Sequence, residues 1–303
     1  MPQVRANGIN IEYESFGDET APALLLIMGL GAQLLLWPDD FCEGLAAGGY
    51  RVIRFDNRDV GLSSKIEHPT RPKLMRAALA SLVGLPVKAP YTLDDMARDT
   101  VGLMDALGLH SAHVVGASMG GMIAQIVAAK HPDRVASLTL IMTTSGNPRL
   151  PGPRLDLRLR LVRPPQALDR ETLVRHSMDT WRLIASPEYP PDEPTLRAKC
   201  ERSYDRSSYR RGLARQTLAI IASGSRVGLL KRITAPTLVL HGEDDPLVPV
   251  AAGHELAQHI PGARLEVIPG WGHDFPAALL DKLTRWIVEH ARLSDNHREK
   301  NKA

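Results

Sequence analysis

Little in this sequence points to metals, redox chemistry, membranes or nucleic acid. Its 303 residues include two cysteines, Cys42 and Cys200, far apart and without a partner pattern. One disulfide between them is conceivable, but reduced thiols of a cytoplasmic protein are the expectation. No C-x-x-C or H-E-x-x-H spacing occurs, so no metal-ligand pattern is present. Aromatic residues make up 5% of the chain, too few for a surface built to stack bases. No apolar run reaches the roughly 18 residues of a membrane span. The opening residues Met1-Pro2-Gln3-Val4-Arg5 lack the basic-then-apolar layout of a secretory leader. No internal repeat is visible. These absences predict a cytoplasmic protein with no nucleic-acid partner, no membrane partner and no metal; a monomer or homodimer is expected, with nothing in the sequence choosing between them.

What is present suits a sizeable packed core: 44% hydrophobic and 23% charged residues. The net charge of +3 conceals an asymmetry. Residues 147–232 hold 16 Arg and 2 Lys against 9 acidic residues, a balance of +9, which leaves −6 for the rest. Asn7-Gly8 between residues 3–5 and 9–13 signals a hairpin. Strands are expected at 23–28, 51–56, 112–115, 137–142, 237–240 and 265–268. Helical patterns fall at 41–47, from Thr92 to Gly108, at 122–130 and at 279–292. This alternation predicts an α/β protein with a mostly parallel central sheet covered by helices on both faces. Residues 147–232 break the rhythm and read as a helical cap inserted between core strands. The core is then residues 1–146 and 233–293, with a polar, frayed tail at 294–303.

Gly116-Ala117-Ser118-Met119-Gly120 runs from an apolar strand into a helix, and that context gives the G-x-S-x-G pattern meaning. A sharp turn there exposes the Ser118 hydroxyl at a helix N-terminus, where free backbone N–H groups can hold an oxyanion. The plain alternative is a tight glycine-rich connection with Ser118 as an N-cap. A serine nucleophile needs a base and an orienting acid, in the chain order Ser, Asp or Glu, His. His273, in the glycine-loosened loop Pro269-Gly270-Trp271-Gly272-His273, is the candidate base. His241 is its competitor, but it ends a strand upstream of the candidate acids and reads as a packing residue. Asp245 is the candidate acid, followed by Pro246, with Asp244 as the fallback and Glu243 as a solvated carboxylate. The oxyanion donors expected are the backbone N–H groups of Met119 and Leu30. Trp37, Leu247 and Trp271 come from loops expected to converge on the site, and Met178 and Trp181 from the cap. The cap arginines read as a solvated face with local partners such as Asp205 and Asp169. The sharper alternative is attraction of anionic substrates.

Taken together, Met28-Gly29-Leu30-Gly31, Asp56-x-Arg58-x-x-Gly61-x-Ser63, Gly116-Ala117-Ser118-Met119-Gly120-Gly121, the Asp245-to-Pro249 loop and Gly272-His273 resemble the α/β-hydrolase fold family over nearly the whole chain. Within it, Trp37-Pro38-Asp39 and Phe55-Asp56-Asn57-Arg58-Asp59 look like bacterial carboxylesterases that include the aclacinomycin methylesterases. The usual His-Gly of the oxyanion loop is Met28-Gly29 here. That change spares a backbone donor but alters the side-chain hydrogen bonding of the loop. The resemblance implies a catalytic triad and oxyanion hole that hydrolyse a small-molecule ester with water through an acyl-enzyme, without a cofactor. Lactonase, thioesterase, C–C hydrolase and perhydrolase chemistry use the same triad. A non-catalytic ligand receptor on this fold is the alternative of another class.

Overall fold

The computed structural model describes residues 2–67, 74–82, 85–157 and 167–300. The chain opens with β1 (Gln3–Ala6) and β2 (Ile9–Phe16), joined by Asn7 and Gly8, both at positive φ as a tight hairpin turn requires. β3 (Ala23–Ile27), α1 (Asp39–Ala47), β4 (Arg51–Phe55), α2 (Leu74–Leu82) and α3 (Leu93–Ala106) follow. Then come β5 (Ala112–Ala117), α4 (Met119–Lys130) and β6 (Val135–Ile141). Between β6 and the next strand lie α5 (Arg170–Ile184), α6 (Glu193–Arg206), α7 (Arg210–Ser223) and the short α8 (Val227–Leu230). The chain closes with β7 (Thr237–Gly242), α9 (Ala251–His259), β8 (Arg264–Ile268) and α10 (Ala277–Lys300).

The strands form one sheet in the order β1-β2-β4-β3-β5-β6-β7-β8, antiparallel at β1-β2 and β2-β4 and parallel from β4 to β8. Side chains alternate across a strand, so the continuous apolar run of β3 supplies two cores. Leu25 and Ile27 pack with Met104 and Ile123 on one face, whereas Leu24 and Leu26 pack with Phe41, Leu45, Leu283 and Ile287 on the other. Thr92 starts α3 with a capping box, its hydroxyl accepting from Asp95 N while the Asp95 carboxylate accepts from Thr92 N.

Three sequence expectations change. The strand expected at 112–115 runs on to Ala117, directly up to Ser118. The final helix does not stop at Arg292. It continues to Lys300 because Ser294 is buried and Asp295 meets His113 Nε2 at 3.1 Å and the Tyr50 hydroxyl at 3.2 Å. The partners of the cap arginines also differ. Arg170 grips Asp205 with bonds of 2.8 and 2.7 Å between α5 and α6, and Arg202 reaches Asp39 of the core at 3.4 Å. Asp169 instead caps α5 through Thr172 N. Arg158, Arg160 and Arg163, part of the basic total, lie outside the described residues.

Candidate active site

Because β3 to β8 run parallel, their following loops share one edge of the sheet, and every residue expected to act chemically stands on those loops. Ser118 follows β5 and precedes α4 at φ 53° and ψ −119°, a backbone conformation that L-residues avoid at a cost of about 1–3 kcal/mol. The turn is enforced by contacts. Ser118 N–H donates to Ile141 O at 3.0 Å, and Ser118 O accepts from the Thr143 hydroxyl at 2.6 Å. The two motif glycines permit the close approach. A Cβ on Gly116 would lie 2.4 Å from Gly120 O, and one on Gly120 would lie 1.9 Å from Ile27 O. The Ser118 side chain makes no capping bond to α4. The strained turn therefore presents the hydroxyl instead of spending it on the helix, and the first-turn amides of α4 add a partial positive charge beside it.

Opposite stands the loop after β3. A Cβ on Gly29 would come within 3.1 Å of Ser118 Cβ and 3.6 Å of its Oγ, so a side chain there would crowd the serine by a few tenths of an ångström. Two side chains fix the loop. Asn57 Nδ2 donates to Met28 O at 2.9 Å, and Gln216 of α7 accepts from Gly31 N at 2.8 Å. Gln216 is fully buried, and its Nε2 donates to Arg58 O at 2.8 Å. Leu30, the expected donor, lies between the anchored Met28 and Gly31 and is exposed.

Asp245 and His273 meet. Asp245 Oδ2 is 2.6 Å from His273 Nδ1, while Oδ1 accepts from Leu247 N and Val248 N, each at 2.8 Å. A carboxylate cannot donate, so the neutral imidazole carries its proton on Nδ1 and leaves Nε2 as the basic nitrogen. The His273 loop is held from the inserted helices, His273 N donating to Ile184 O at 2.7 Å and Gly272 N to Ser186 Oγ at 3.0 Å. Asp244 does not reach His273. Its Oδ2 accepts from Gly270 N at 2.9 Å, tying the two loops together, and Glu243 is exposed. His241 is fully buried, with Nε2 donating to Val248 O at 2.8 Å and lying 3.7 Å from Asp245 Oδ2. Burial pushes its pKa down and keeps the ring neutral beside the carboxylate.

The residues expected to line a substrate pocket divide. Trp37 and Trp271 belong to the core: both are fully buried, Trp37 stacks on Phe41 at 5.7 Å, and the Trp271 indole N–H donates to Asp274 O at 2.8 Å. Large apolar rings in loops beneath a sheet edge are drawn inward by burial, which sequence position alone does not reveal. Met178 is likewise buried, in a small cluster with Val174, Leu196 and Cys200 that holds α5 to α6. Trp181 is half-buried and lines a cavity of about 740 Å³ between α5, α6 and the core. Leu247 is half-buried beside Asp245.

Sequence reasoning missed Asn57 and Gln216. Asn57 lies within the Asp56-x-Arg58 motif, but Gln216 lies 185 residues from Gly31 and carries no local signal. The motif itself is structural. Asp56 accepts from Leu34 N and Leu62 N at 2.8 Å each, and Arg58 pairs with Asp99 at 2.5 and 2.6 Å. A Cβ on Gly61 would collide with Asp56 Oδ2 at 1.9 Å. Among the described residues no helix is long and apolar enough to cross a membrane, and no three His, Cys, Asp or Glu side chains gather as a metal site would require.

A sheet of this order, with a serine turn after one strand and an Asp–His pair after two others, defines the class. Residues 22–276 match the α/β hydrolase fold, and the chain belongs to that family. It is 30% identical to the rhodomycin D methylesterase of Streptomyces sp. strain C5, over 94% of this chain and 95% of that protein. It is also 30% identical to a putative carbamate hydrolase of Variovorax paradoxus, over 91% and 96%. Among solved structures, an enol-lactonase from Burkholderia xenovorans superposes with a TM-score of 0.73 at 25% identity, covering 95% of this chain and 99% of that one. A meta-cleavage product hydrolase from Pseudomonas fluorescens reaches a TM-score of 0.76 at 20% identity, over 97% and 98%, a likeness of fold.

Proposed function

We propose that this chain is a serine carboxylesterase that hydrolyses small or methyl esters in the cytoplasm. Ser118 attacks the ester carbonyl as His273 Nε2 takes its proton. The Met119 and Leu30 N–H groups hold the oxyanion, and the imidazolium returns the proton to the leaving alcohol. Water then enters against the same base, and the acid leaves Ser118. Asp245 fixes the imidazole tautomer and stabilises its protonated form. The helices inserted between β6 and β7 act as a lid over the site. The 2.6 Å contact between Asp245 and His273 carries the reading, together with a strained serine whose hydroxyl is not used as a helix cap. The methylesterase among the relatives supports the ester as the bond cleaved.

Ser118→Ala is expected to lower turnover of p-nitrophenyl acetate by roughly 10³-fold or more and to abolish labelling by a fluorophosphonate, with the thermal melt unchanged. Hydrolysis retained by that variant overturns the assignment. A wild-type protein that neither labels nor turns over esters would instead be a ligand receptor.

A further inference from the structure

The 740 Å³ cavity is lined by residues other than those proposed to act at Ser118, though it borders them through Asp274, next in the chain to His273. Its lining includes Leu36, Trp181, Tyr189, Lys199, Asp274 and Phe275, and among the described residues it includes none of Leu30, Ser118, Met119 or His273. Its size is that of a small-molecule pocket, and its walls are mainly apolar and aromatic. The charged groups on it are mostly committed. Asp39 pairs with Arg54 at 2.6 Å and with Arg202 at 3.4 Å, Asp192 caps α6 through Thr195 N at 3.0 Å, and Asp274 accepts from the Ser186 hydroxyl. Asp40 is exposed at the rim. Lys199 is the exception. Its Nζ makes no hydrogen bond and no ion pair among the described residues and sits 4.1 Å from the centroid of the Trp181 ring. Burial holds its pKa below the ordinary lysine value, with the charges of Asp274 and Cys200 opposing that shift. A half-buried ammonium over an aromatic face, beside a mainly apolar cavity, has no hydrogen-bonded anion among the described residues.

We propose that this cavity is an accessory binding site for an apolar monocarboxylate, with the carboxylate on Lys199 Nζ and the ring or chain against Trp181, Tyr189 and Phe275. Asp274 stays turned to Ser186, and the Trp181 face that steadies the ammonium also forms the wall for the ligand's apolar body. Occupancy needs no step at Ser118, so the proposal stands apart from the esterase reading.

Calorimetric titration of the full chain with 2-naphthoate and with the uncharged 2-naphthamide tests it. The carboxylate is expected to bind one per chain and at least about tenfold more tightly than the amide, a difference of about 1.4 kcal/mol. Prior sulfonylation of Ser118 by phenylmethylsulfonyl fluoride leaves that binding in place. Lys199→Met removes the preference and Lys199→Arg retains it, both with unchanged melts. Lys199→Arg serves as the folded control should Lys199→Met melt early. Equal affinities for acid and amide, a preference that survives Lys199→Met, or binding lost on sulfonylation would each overturn the proposal.

Discussion

At the residue scale, the site depends on side chains that never touch the substrate. The backbone donor proposed at Leu30 can stabilise an oxyanion only if the loop holds still, and Gln216 and Asn57 hold it from opposite ends. Gln216→Leu leaves the buried Arg58 O without that partner, a loss of about 1–3 kcal/mol, and frees the exposed Gly31 N from its anchor. We expect kcat for p-nitrophenyl acetate to fall about ten- to a hundredfold, less than the loss of a whole oxyanion donor, with KM little changed. Affinity for a trifluoromethyl ketone, which forms the same tetrahedral oxyanion, should weaken in parallel. If kcat falls while that affinity is untouched, Gln216 serves stability alone. The proposed serine, acid and histidine could be singled out in the sequence because each follows a recognisable strand and needs a fixed residue type, and the structure brings Asp245 and His273 into contact. Gln216 was not, because its partner is a backbone amide brought near only by the fold. Trp37 and Trp271 were misread for the converse reason: position in a loop does not say which way a ring turns.

At the element scale, strands were the most readable parts, since burial on both faces leaves continuous apolar runs such as that of β3. Helix ends were less so. Nothing in the local pattern at Ser294 announces that α10 continues, because its anchors, His113 and Tyr50, lie on β5 and immediately before β4. The same helix carries a pH-sensitive group. His290 is buried, with Nε2 donating to Pro236 O at 3.1 Å, and burial lowers its pKa to about 4. The unfolded chain binds this proton near pH 6.5 and the folded chain only near pH 4. Between those values the unfolded state binds more protons, so stability is full above pH 6.5 and declines as the pH falls towards 4. The decline amounts to at most about 3 kcal/mol from this residue. His241, also shifted down by burial, adds in the same direction. Urea midpoints at about pH 7 and pH 5 should drop further for the wild type than for His290→Asn. Identical drops would show that His290 does not set the slope.

At the scale of the whole molecule, much of the positive charge among the described residues of 147–232 is paired. Arg170, Arg182 and Arg197 bridge α5 and α6 to each other, through Asp205, Glu193 and Glu171. Exposed pairs of that kind contribute little to stability, about 0–1 kcal/mol each. Besides the exposed Arg202, two arginines join the inserted helices to the core with their side chains largely shielded from water. Arg206 meets Asp56 at 2.7 Å, and Arg215 grips Asp59 through bonds of 2.8 and 2.7 Å, with Tyr91 donating to the same carboxylate at 2.6 Å. α7 can approach this loop because Gly212 has no side chain; a Cβ there would lie 2.0 Å from Asp59 O. Composition reported only the sum of these charges, since pairing across 156 residues is a property of the fold. Removing one partner of a buried pair strands the other in a poorly solvated place, whereas removing both does not. Arg215→Met is therefore expected to destabilise the protein by roughly 3–5 kcal/mol. Adding Asp59→Asn to that variant should restore part of the loss, because an amide in place of the stranded carboxylate carries no charge to desolvate. Urea unfolding of the wild type, both single variants and the double variant measures the coupling. Strictly additive effects would mean that the buried pair does not fasten the inserted helices to the catalytic core.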